Sequence, residues 1–361
     1  MKDIKMHEES LSFLKQLLNT PSPSGFESKG QKVWCDYVRQ FADEVRTDAY
    51  GNAIAVLNPE GEIKVMLDGH IDEIGLMANY IDDKGYVYVQ SIGGVNPAHV
   101  QGKRLNFHTP NGIVRGVIGA TAPHLLDKKG EQKAPKMHEI FVDIGASDKE
   151  EAEKMLTIGT PATFVDEFEM LNDNIVVARA LDDRIGTWIA AETMRCVKEQ
   201  AKKLNVALYL SSSIQEETGC NGARMTVAQV KPDVAIAMDV THATDTPGID
   251  NKLHGQVKMG QGPTVSIGRE HHPVVVAKLR KIAEENNINY QVETFSKSGG
   301  TNAIPMWTYN GGTPTALISL PNRYMHSTVE MCDLRDLQAT VDWLTAFVIS
   351  IEAGEQFKVE V

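Results

Sequence analysis

Alternation of strand-like and helix-like segments constrains the fold of this chain most strongly. Apolar runs at Ala53–Leu57 and Ile63–Leu67 follow helical patterns near the amino terminus, and strand–helix alternation returns from Asn174 to a last helical pattern at Asp336–Ile351. Such alternation is typical of a domain whose helices cover a largely parallel sheet. We therefore predict an α/β fold, with a mixed, mostly parallel sheet and helices on both faces.

The hydrophobic spacing also predicts individual elements. Leu11–Leu18 and Val33–Val45 each have helical periodicity. The further predicted strands are Asn174–Ala178, Val206–Ile214, Asp233–Met238 and Thr315–Leu320, and the further helices are Ile185–Cys196 and Pro273–Asn286.

A stretch of different character interrupts this alternation between about Met77 and Phe168. It contains short strand-like runs with turn signals around Gly85 and Gly112, where glycine tolerates positive φ. We therefore predict a small β-rich domain at residues 74–166, inserted into an α/β domain made of residues 1–73 and 167–361.

Charge and cysteine content exclude several partners. The chain has 361 residues, with 36 Lys and Arg against 48 Asp and Glu and a formal net charge of −12. Because this balance repels phosphates and anionic lipids, we expect no nucleic-acid or membrane partner. Four widely spaced cysteines and a charged Met1–Ser10 segment without an apolar stretch predict reduced thiols in a cytoplasmic protein.

Acidic and imidazole side chains occur where predicted strands end. They are His70 and Asp72, Asp182 and Asp183, Glu216 and Glu217, Asp239, and His326. Ligands of open α/β sheets bind outside the carboxyl ends of the strands, so one sheet could bring these distant positions together.

Clustered carboxylates repel one another, and divalent cations relieve that repulsion. Two imidazoles with three carboxylates suit zinc, cobalt or manganese better than calcium. A carboxylate shared between two ions would hold them about 3.5–4 Å apart, as in two-metal hydrolases. Each residue alone has an ordinary explanation, since Asp182 and Asp183 could cap the following helix. The ordered set favours a metal site.

The ordered set also resembles a known family, the M42 metallo-aminopeptidases of the glutamyl, deblocking and tetrahedral types. The resemblance runs from about residue 8 to residue 350. The matching segments are Gly69–Met77, Ala180–Arg184, Gln215–Gly219, Ala237–Thr241 and Arg323–Ser327.

The resemblance implies a role for each of seven residues. The implied metal ligands are His70 and Asp239 for one ion, Glu217 and His326 for the other, and Asp182, joined by a cis peptide to Asp183, as the bridge. Glu216 would be the general base, and Asp72 would accept the free ring N–H of His70. The implied cofactors are two divalent metal ions per subunit, zinc or cobalt.

The resemblance further implies a dizinc-exopeptidase-like fold and an aminopeptidase that removes N-terminal residues from peptides. The inserted domain would form dimers, and six dimers would form a tetrahedral dodecamer. One position departs from the family pattern, because Asn302 stands where an aspartate is usual. Any substrate preference transferred from relatives is therefore in doubt.

Three alternative functions stay open at this point. Dimetal carboxypeptidases and deacylases share the order of ligands, but their extra domain lies between the fourth ligand and the last histidine. Here 110 positions separate Asp72 from Asp182 and 87 separate Asp239 from His326, which favours the aminopeptidase. An endoglucanase would need a carboxylate pair without obligatory metal. A non-catalytic metal-binding or assembly protein would not need Glu216.

Overall fold

The structure is a computed structural model that describes residues 6–125 and 134–361. In chain order, the strands of the described residues are β1 (Glu44–Thr47), β2 (Ala53–Leu57), β3 (Ile63–His70), β4 (Gly75–Ile81), β5 (Val87–Ile92), β6 (Arg104–Thr109), β7 (Gly112–Ile118), β8 (Phe141–Asp143), β9 (Pro161–Phe164), β10 (Glu169–Met170), β11 (Ile175–Ala178), β12 (Val206–Ser213), β13 (Val234–His242), β14 (Thr264–Gly268), β15 (Gln291–Phe295), β16 (Thr315–Asn322) and β17 (Glu330–Asp333).

The α-helices of the same residues are α1 (Glu8–Asn19), α2 (Ser28–Val38), α3 (Lys149–Met155), α4 (Leu181–Gln200), α5 (Asn221–Val230), α6 (Asn251–His254), α7 (Pro273–Glu285), α8 (Ala303–Trp307) and α9 (Leu334–Ile349).

The described residues divide into two compact units. The first comprises the chain up to Asp72, Glu167–Met325 and Val329–Val361, and the second comprises Glu73–Asp166 with His326–Thr328.

The first unit contains an eight-stranded sheet of order β1-β2-β12-β3-β13-β16-β14-β15. The four pairings β12–β3, β3–β13, β13–β16 and β14–β15 are parallel, and the other three are antiparallel. The predicted mixed α/β architecture is confirmed.

Helices cover both faces of this sheet, and β2 shows how its sequence achieves this. Ala53, Ala55 and Leu57 pack into the large core that also receives buried side chains of α1, α2, α4, α7 and α9. Ile54 and Val56 point to the opposite core, which α5 and α8 cover. Because neighbouring residues of a strand face opposite ways, a strand buried on both faces is a continuous apolar run.

One predicted strand lies outside this sheet. β11 belongs to a separate three-stranded antiparallel sheet with β10 and β17. The expectation that one sheet positions every acidic group is therefore wrong, because Asp182 and Asp183 occupy the start of α4 after a strand of the small sheet.

The second predicted helix is also shorter than its hydrophobic pattern. It ends at Val38, and Val45 lies on β1, opposite Ala55 of β2. The chain turns where the N–H groups of Phe41 and Ala42 both donate to the Val38 carbonyl. Strand pairing then places Val45 against the same core as the helix, so its apolar character fits either structure.

The second unit is a closed barrel of order β4-β5-β8-β7-β6-β9, with β9 pairing back to β4. Its interior contains Leu76, Val87, Phe107 and Val142, all fully buried. Among the six described strands of the barrel, closure leaves no unpaired edge, which a small sheet would otherwise expose. In the described part of the chain, no helix has both the length and the apolar surface required to cross a bilayer.

Candidate metal and catalytic site

Two glycines allow α4 to approach the end of β3. A Cβ on Gly69 would lie 2.6 Å from the backbone of Gly186, and a Cβ on Gly186 would lie 2.2 Å from Asp183 Oδ2. This close approach lets the Asp183 carboxylate accept hydrogen bonds from the backbone N–H groups of His70 (3.3 Å) and Gly186 (3.1 Å). The helix start is thereby held against the strand that carries His70.

The His70 ring is buried among carboxyl groups. Its Nε2 atom lies 3.1 Å from Asp182 Oδ1 and 3.8 Å from Glu216 Oε2. Its Nδ1 atom lies 3.2 Å from the Asp72 backbone oxygen and 3.4 Å from Asp72 Oδ1. Burial acts to lower the pKa of His70, but hydrogen bonds with Asp182 and Asp72 hold that pKa well above its usual value.

Asp72 is fully buried and binds the turn that follows β12. Its Oδ1 and Oδ2 atoms accept hydrogen bonds from the backbone N–H groups of Glu216 (3.0 Å) and Glu217 (3.1 Å). One carboxylate thus contacts the His70 ring and fixes the backbone of both glutamates.

The surrounding carboxyl groups resist ionisation. Burial raises the pKa of Asp239, Asp183 and Glu217 well above the usual range, and repulsion from neighbouring aspartates adds to the rise. Burial also raises the pKa of Glu216, an effect that His70 opposes and Asp182 reinforces. A bound cation would stabilise the ionised form of all four groups.

Two sets of potential ligand atoms lie within 4.8 Å of one another: those of His70, Asp182 and Glu217, and those of His70, Asp183 and Asp239. Imidazole and carboxylate together fit zinc, cobalt or manganese. The structure therefore brings four of the five expected ligands together and adds Asp183 to them. The peptide bond between Asp182 and Asp183 is cis.

His326 belongs to the second unit, where it has a positive φ of 58°. Its ring lies against Gly94, because a Cβ added to that glycine would come 2.6 Å from His326 Nδ1. Its assignment as a metal ligand stays a prediction.

Other buried acids near the site were not singled out from the sequence. Glu330 Oε2 accepts the backbone N–H of Asp182 at 2.9 Å. Glu27 Oε1 accepts the N–H groups of Gly25 (2.6 Å) and Gln215 (3.3 Å), and burial raises the pKa of Glu27 to about 7. Glu330 lies four positions after His326, but nothing in the local sequence separates it from a surface glutamate.

Asn302 is fully buried in a polar cluster under the sheet face. Its Nδ2 group donates to Asp68 Oδ2 (2.8 Å) and to Ser213 Oγ (2.9 Å). Asp68 lies on β3, two residues before His70. The Asn302 amide therefore belongs to a buried hydrogen-bond network next to the site. An aspartate at this position would face the buried carboxylate of Asp68.

The four cysteines are free and buried. Cys220 Sγ lies 3.2 Å from Glu216 Oε1 and donates to it. Burial and the neighbouring glutamate raise the pKa of Cys220, so this side chain is a thiol donor and not a nucleophile.

Comparisons with known proteins identify the family of this chain. The family model of the M42 glutamyl aminopeptidases matches residues 51–343. A lysyl aminopeptidase from Pyrococcus furiosus is 37% identical over 331 residues, which cover 91% of this chain and 93% of that protein.

Solved structures of TET peptidases are also similar to this chain. The TET aminopeptidase from a marine sediment Thaumarchaeota archaeon has a TM-score of 0.91 and 29% identity, covering 96% of this chain and 97% of the other. The TET1 peptidase of Pyrococcus horikoshii, described as assembling into a tetrahedron or a large octahedral shell, has a TM-score of 0.82 and 29% identity, with coverage of 95% and 100%. This chain belongs to the M42 glutamyl aminopeptidase family and is a peptide hydrolase of the aminopeptidase type.

Proposed function

We propose that this protein removes N-terminal residues from peptides with the help of two divalent metal ions, zinc or cobalt. The observation that carries the proposal is the buried cluster of His70 with four carboxyl groups, whose ligand atoms fall within 4.8 Å in two sets. We propose His70, Asp239, Glu217 and His326 as terminal ligands and Asp182 as the bridge between the ions.

When bound, the two cations would supply Lewis-acid polarisation of the scissile carbonyl and of the attacking water. Asp72 orients the other components of the site. It contacts Nδ1 of His70, which leaves Nε2 directed toward Asp182, and it holds the backbone of Glu216 and Glu217. Such supporting carboxylates fix both the tautomer and the direction of a ligating imidazole.

Glu216 is proposed as the general base. Its Oε1 atom accepts a hydrogen bond from Cys220, which holds the carboxyl group, and its Oε2 atom faces the His70 ring at 3.8 Å. Oε2 would take a proton from the attacking water and return it to the leaving amine.

Self-association is part of the proposal. The relative from Pyrococcus horikoshii assembles into closed shells. We propose that this chain forms dimers through the inserted barrel, up to a tetrahedral dodecamer, in the cytoplasm. Light scattering on the metal-loaded protein should give the mass of a dimer or a dodecamer, and a monomer under those conditions would contradict the assembly.

Substrate assays test the activity. Metal-loaded protein should hydrolyse aminoacyl amides and shorten unblocked peptides from the amino end, while N-acetylated peptides stay intact because they lack the free amine. Release of C-terminal residues or deacylation of N-acyl amino acids would favour the carboxypeptidase or deacylase alternative. Cellulose hydrolysis that survives a chelator would favour an endoglucanase.

A further inference from the structure

A cavity of about 840 Å³ opens at the carboxyl end of β13, within the first unit. Thr241 lines it and lies two residues after Asp239 on the same strand, so the two side chains point to the same side of the sheet. The strand repeat puts them roughly 7 Å apart. The cavity therefore begins at Thr241, the next side chain on the same face of β13 after the proposed ligand Asp239.

One carboxylate in this cavity is held by three hydroxyl groups. Glu293 Oε1 accepts from Thr264 Oγ1 (2.7 Å) and Ser266 Oγ (2.8 Å), and Oε2 accepts from Thr241 Oγ1 (2.7 Å). Glu293 lies on β15 directly opposite Ser266 of β14, so the sheet register creates this arrangement. These three hydrogen bonds hold the carboxylate in place.

The charge of Glu293 has no cationic partner within residues 6–125 and 134–361. It is also the one acid among the described residues that line the cavity. Burial lowers the pKa of the nearby His271 against the opposing effect of Glu270 and Glu293, which disfavours the charged ring. His242 and His254 also line the cavity, and neither forms an ion pair with Glu293 in the described structure. Lys252 lines the same cavity but forms no ion pair with Glu293 in the described structure. A half-buried carboxylate without a counter-charge favours a cation from a ligand.

We propose that Glu293 selects substrates whose first residue is basic, lysine or arginine, by pairing with its terminal cation. The inference rests on the proposed aminopeptidase function. In this inference, a substrate bound with its scissile carbonyl near Asp239 places its first side chain along the end of β13, into this cavity. A four-carbon lysine stem spans a distance similar to the step from Asp239 to Thr241, and Thr241 holds Glu293.

Lysyl and norleucyl amides give the sharpest test, because norleucine has the lysine stem without the ammonium group. The wild-type protein, loaded with zinc or cobalt, should have a kcat/KM for the lysyl amide at least about tenfold above that for the norleucyl amide. The glutamyl amide should be the poorest substrate of the three. Glu293→Gln should reduce the lysyl-to-norleucyl ratio to below about threefold, with the loss falling on the lysyl substrate.

Glu285→Gln serves as the matched control, since this exposed glutamate of α7 lies outside the cavity and pairs with Lys281 on the surface. It should leave the ratio unchanged. A wild-type ratio near one, or faster cleavage of the glutamyl amide, would overturn the inference whether or not Glu293→Gln folds. An unchanged ratio in a folded Glu293→Gln protein would also overturn it. If the metal-loaded wild type cleaves none of the three amides, the proposed function itself fails, and this inference fails with it.

Discussion

Asp72 contributes both carboxylate oxygens to the backbone of the turn that follows β12. Because the two residues it holds are the proposed base and a proposed ligand, one side chain sets the position of both. The same carboxylate lies 3.4 Å from the His70 ring. Residues that position a metal site in this way typically account for 10–100-fold in metal affinity or activity.

We predict that Asp72→Asn lowers activity or metal affinity by about 10–100-fold. The amide would offer one acceptor where two backbone N–H groups need one each, so either Glu216 or Glu217 would shift. Metal titration and steady-state kinetics measure the effect. Asp36→Asn, on the exposed surface of α2, should behave like the wild type. Wild-type kinetics and metal affinity in Asp72→Asn would contradict a positioning role.

Glu216→Gln separates proton transfer from metal binding. The variant keeps the shape of the side chain but cannot accept a proton, so kcat should fall by about 10²–10⁴-fold. Metal content per chain should stay the same, because Glu216 is not one of the proposed ligands. Elemental analysis and kcat measured on the same preparation test this. Full activity would remove Glu216 from its role.

Candidate site residues could be predicted from the sequence where they formed an ordered pattern at the ends of predicted strands. His70, Asp182, Glu217 and Asp239 were singled out because each followed a predicted strand, and the structure places these four together. Whether they bind metal, and whether His326 does, stays a prediction. Asp183 was part of the same pattern and Asn302 was a departure from the family pattern, whereas Glu330 and Asp68 gave no comparable signal. Their importance comes from burial and long-range contacts that no local pattern encodes.

At the scale of secondary structure, long periodic segments were predictable and sheet membership was not. Ala53–Leu57 matches β2 without adjustment, and the helix predicted from Pro273 ends one residue early, at Glu285. The strand before Asp182 also exists, but it pairs with β10 and β17. Apolar alternation reports that a strand has a buried face, whereas partner choice depends on distant segments.

Arg184 connects elements around the site and is fully buried at the start of α4. It donates to the backbone oxygens of Leu17 and Leu18 at the end of α1 and of Ile71 beside Asp72, each at 3.1 Å. The last carbonyls of a helix lack intrahelical partners, so the guanidinium satisfies groups that would otherwise be buried without one.

We predict that Arg184→Leu lowers the free energy of unfolding by at least about 3 kcal/mol, since an unsatisfied buried polar group costs about 1–3 kcal/mol. Chemical denaturation of the metal-loaded protein measures the change. Arg39→Leu, on the exposed end of α2, should change it by less than about 0.5 kcal/mol. Equal effects of the two substitutions would show that the Arg184 contacts carry no special stability.

At the scale of the whole molecule, burial of several acids beside His70 links stability to pH and to metal. A carboxyl group whose pKa is raised by folding stabilises the folded state at low pH, and this contribution is lost as the pH rises through the raised pKa. The raised pKa of His70 has the same sign. Metal ions bind the ionised carboxylates and compete with the protons, so their stabilisation grows with pH.

We therefore predict that the melting temperature of chelator-treated protein falls as the pH is raised from about 5.5 to about 8, relative to metal-loaded protein. Calorimetry at both pH values, with and without zinc, measures the difference in melting temperature between metal-loaded and chelator-treated protein. If this difference became smaller as the pH rises, the proposed coupling between the buried carboxyl groups and the ions would be contradicted.

The inserted unit shows what the sequence could not specify at this scale. Turn signals and short apolar runs indicated a β-rich module, but not that β9 pairs back to β4 to close a barrel. Closure depends on strand tilt and register summed around all the strands. Gly116 is part of this fit, because an added Cβ would lie 2.4 Å from Val142 Cγ1.

Stepwise reloading of metal-stripped protein tests the central claim most directly. The stripped protein should be inactive toward lysyl and norleucyl amides. Added zinc or cobalt should restore hydrolysis in proportion to the bound ion, with a plateau at two ions per chain. Full activity in protein that retains less than about one ion in ten chains would contradict the account, as would permanent inactivity of folded chains that have bound two ions.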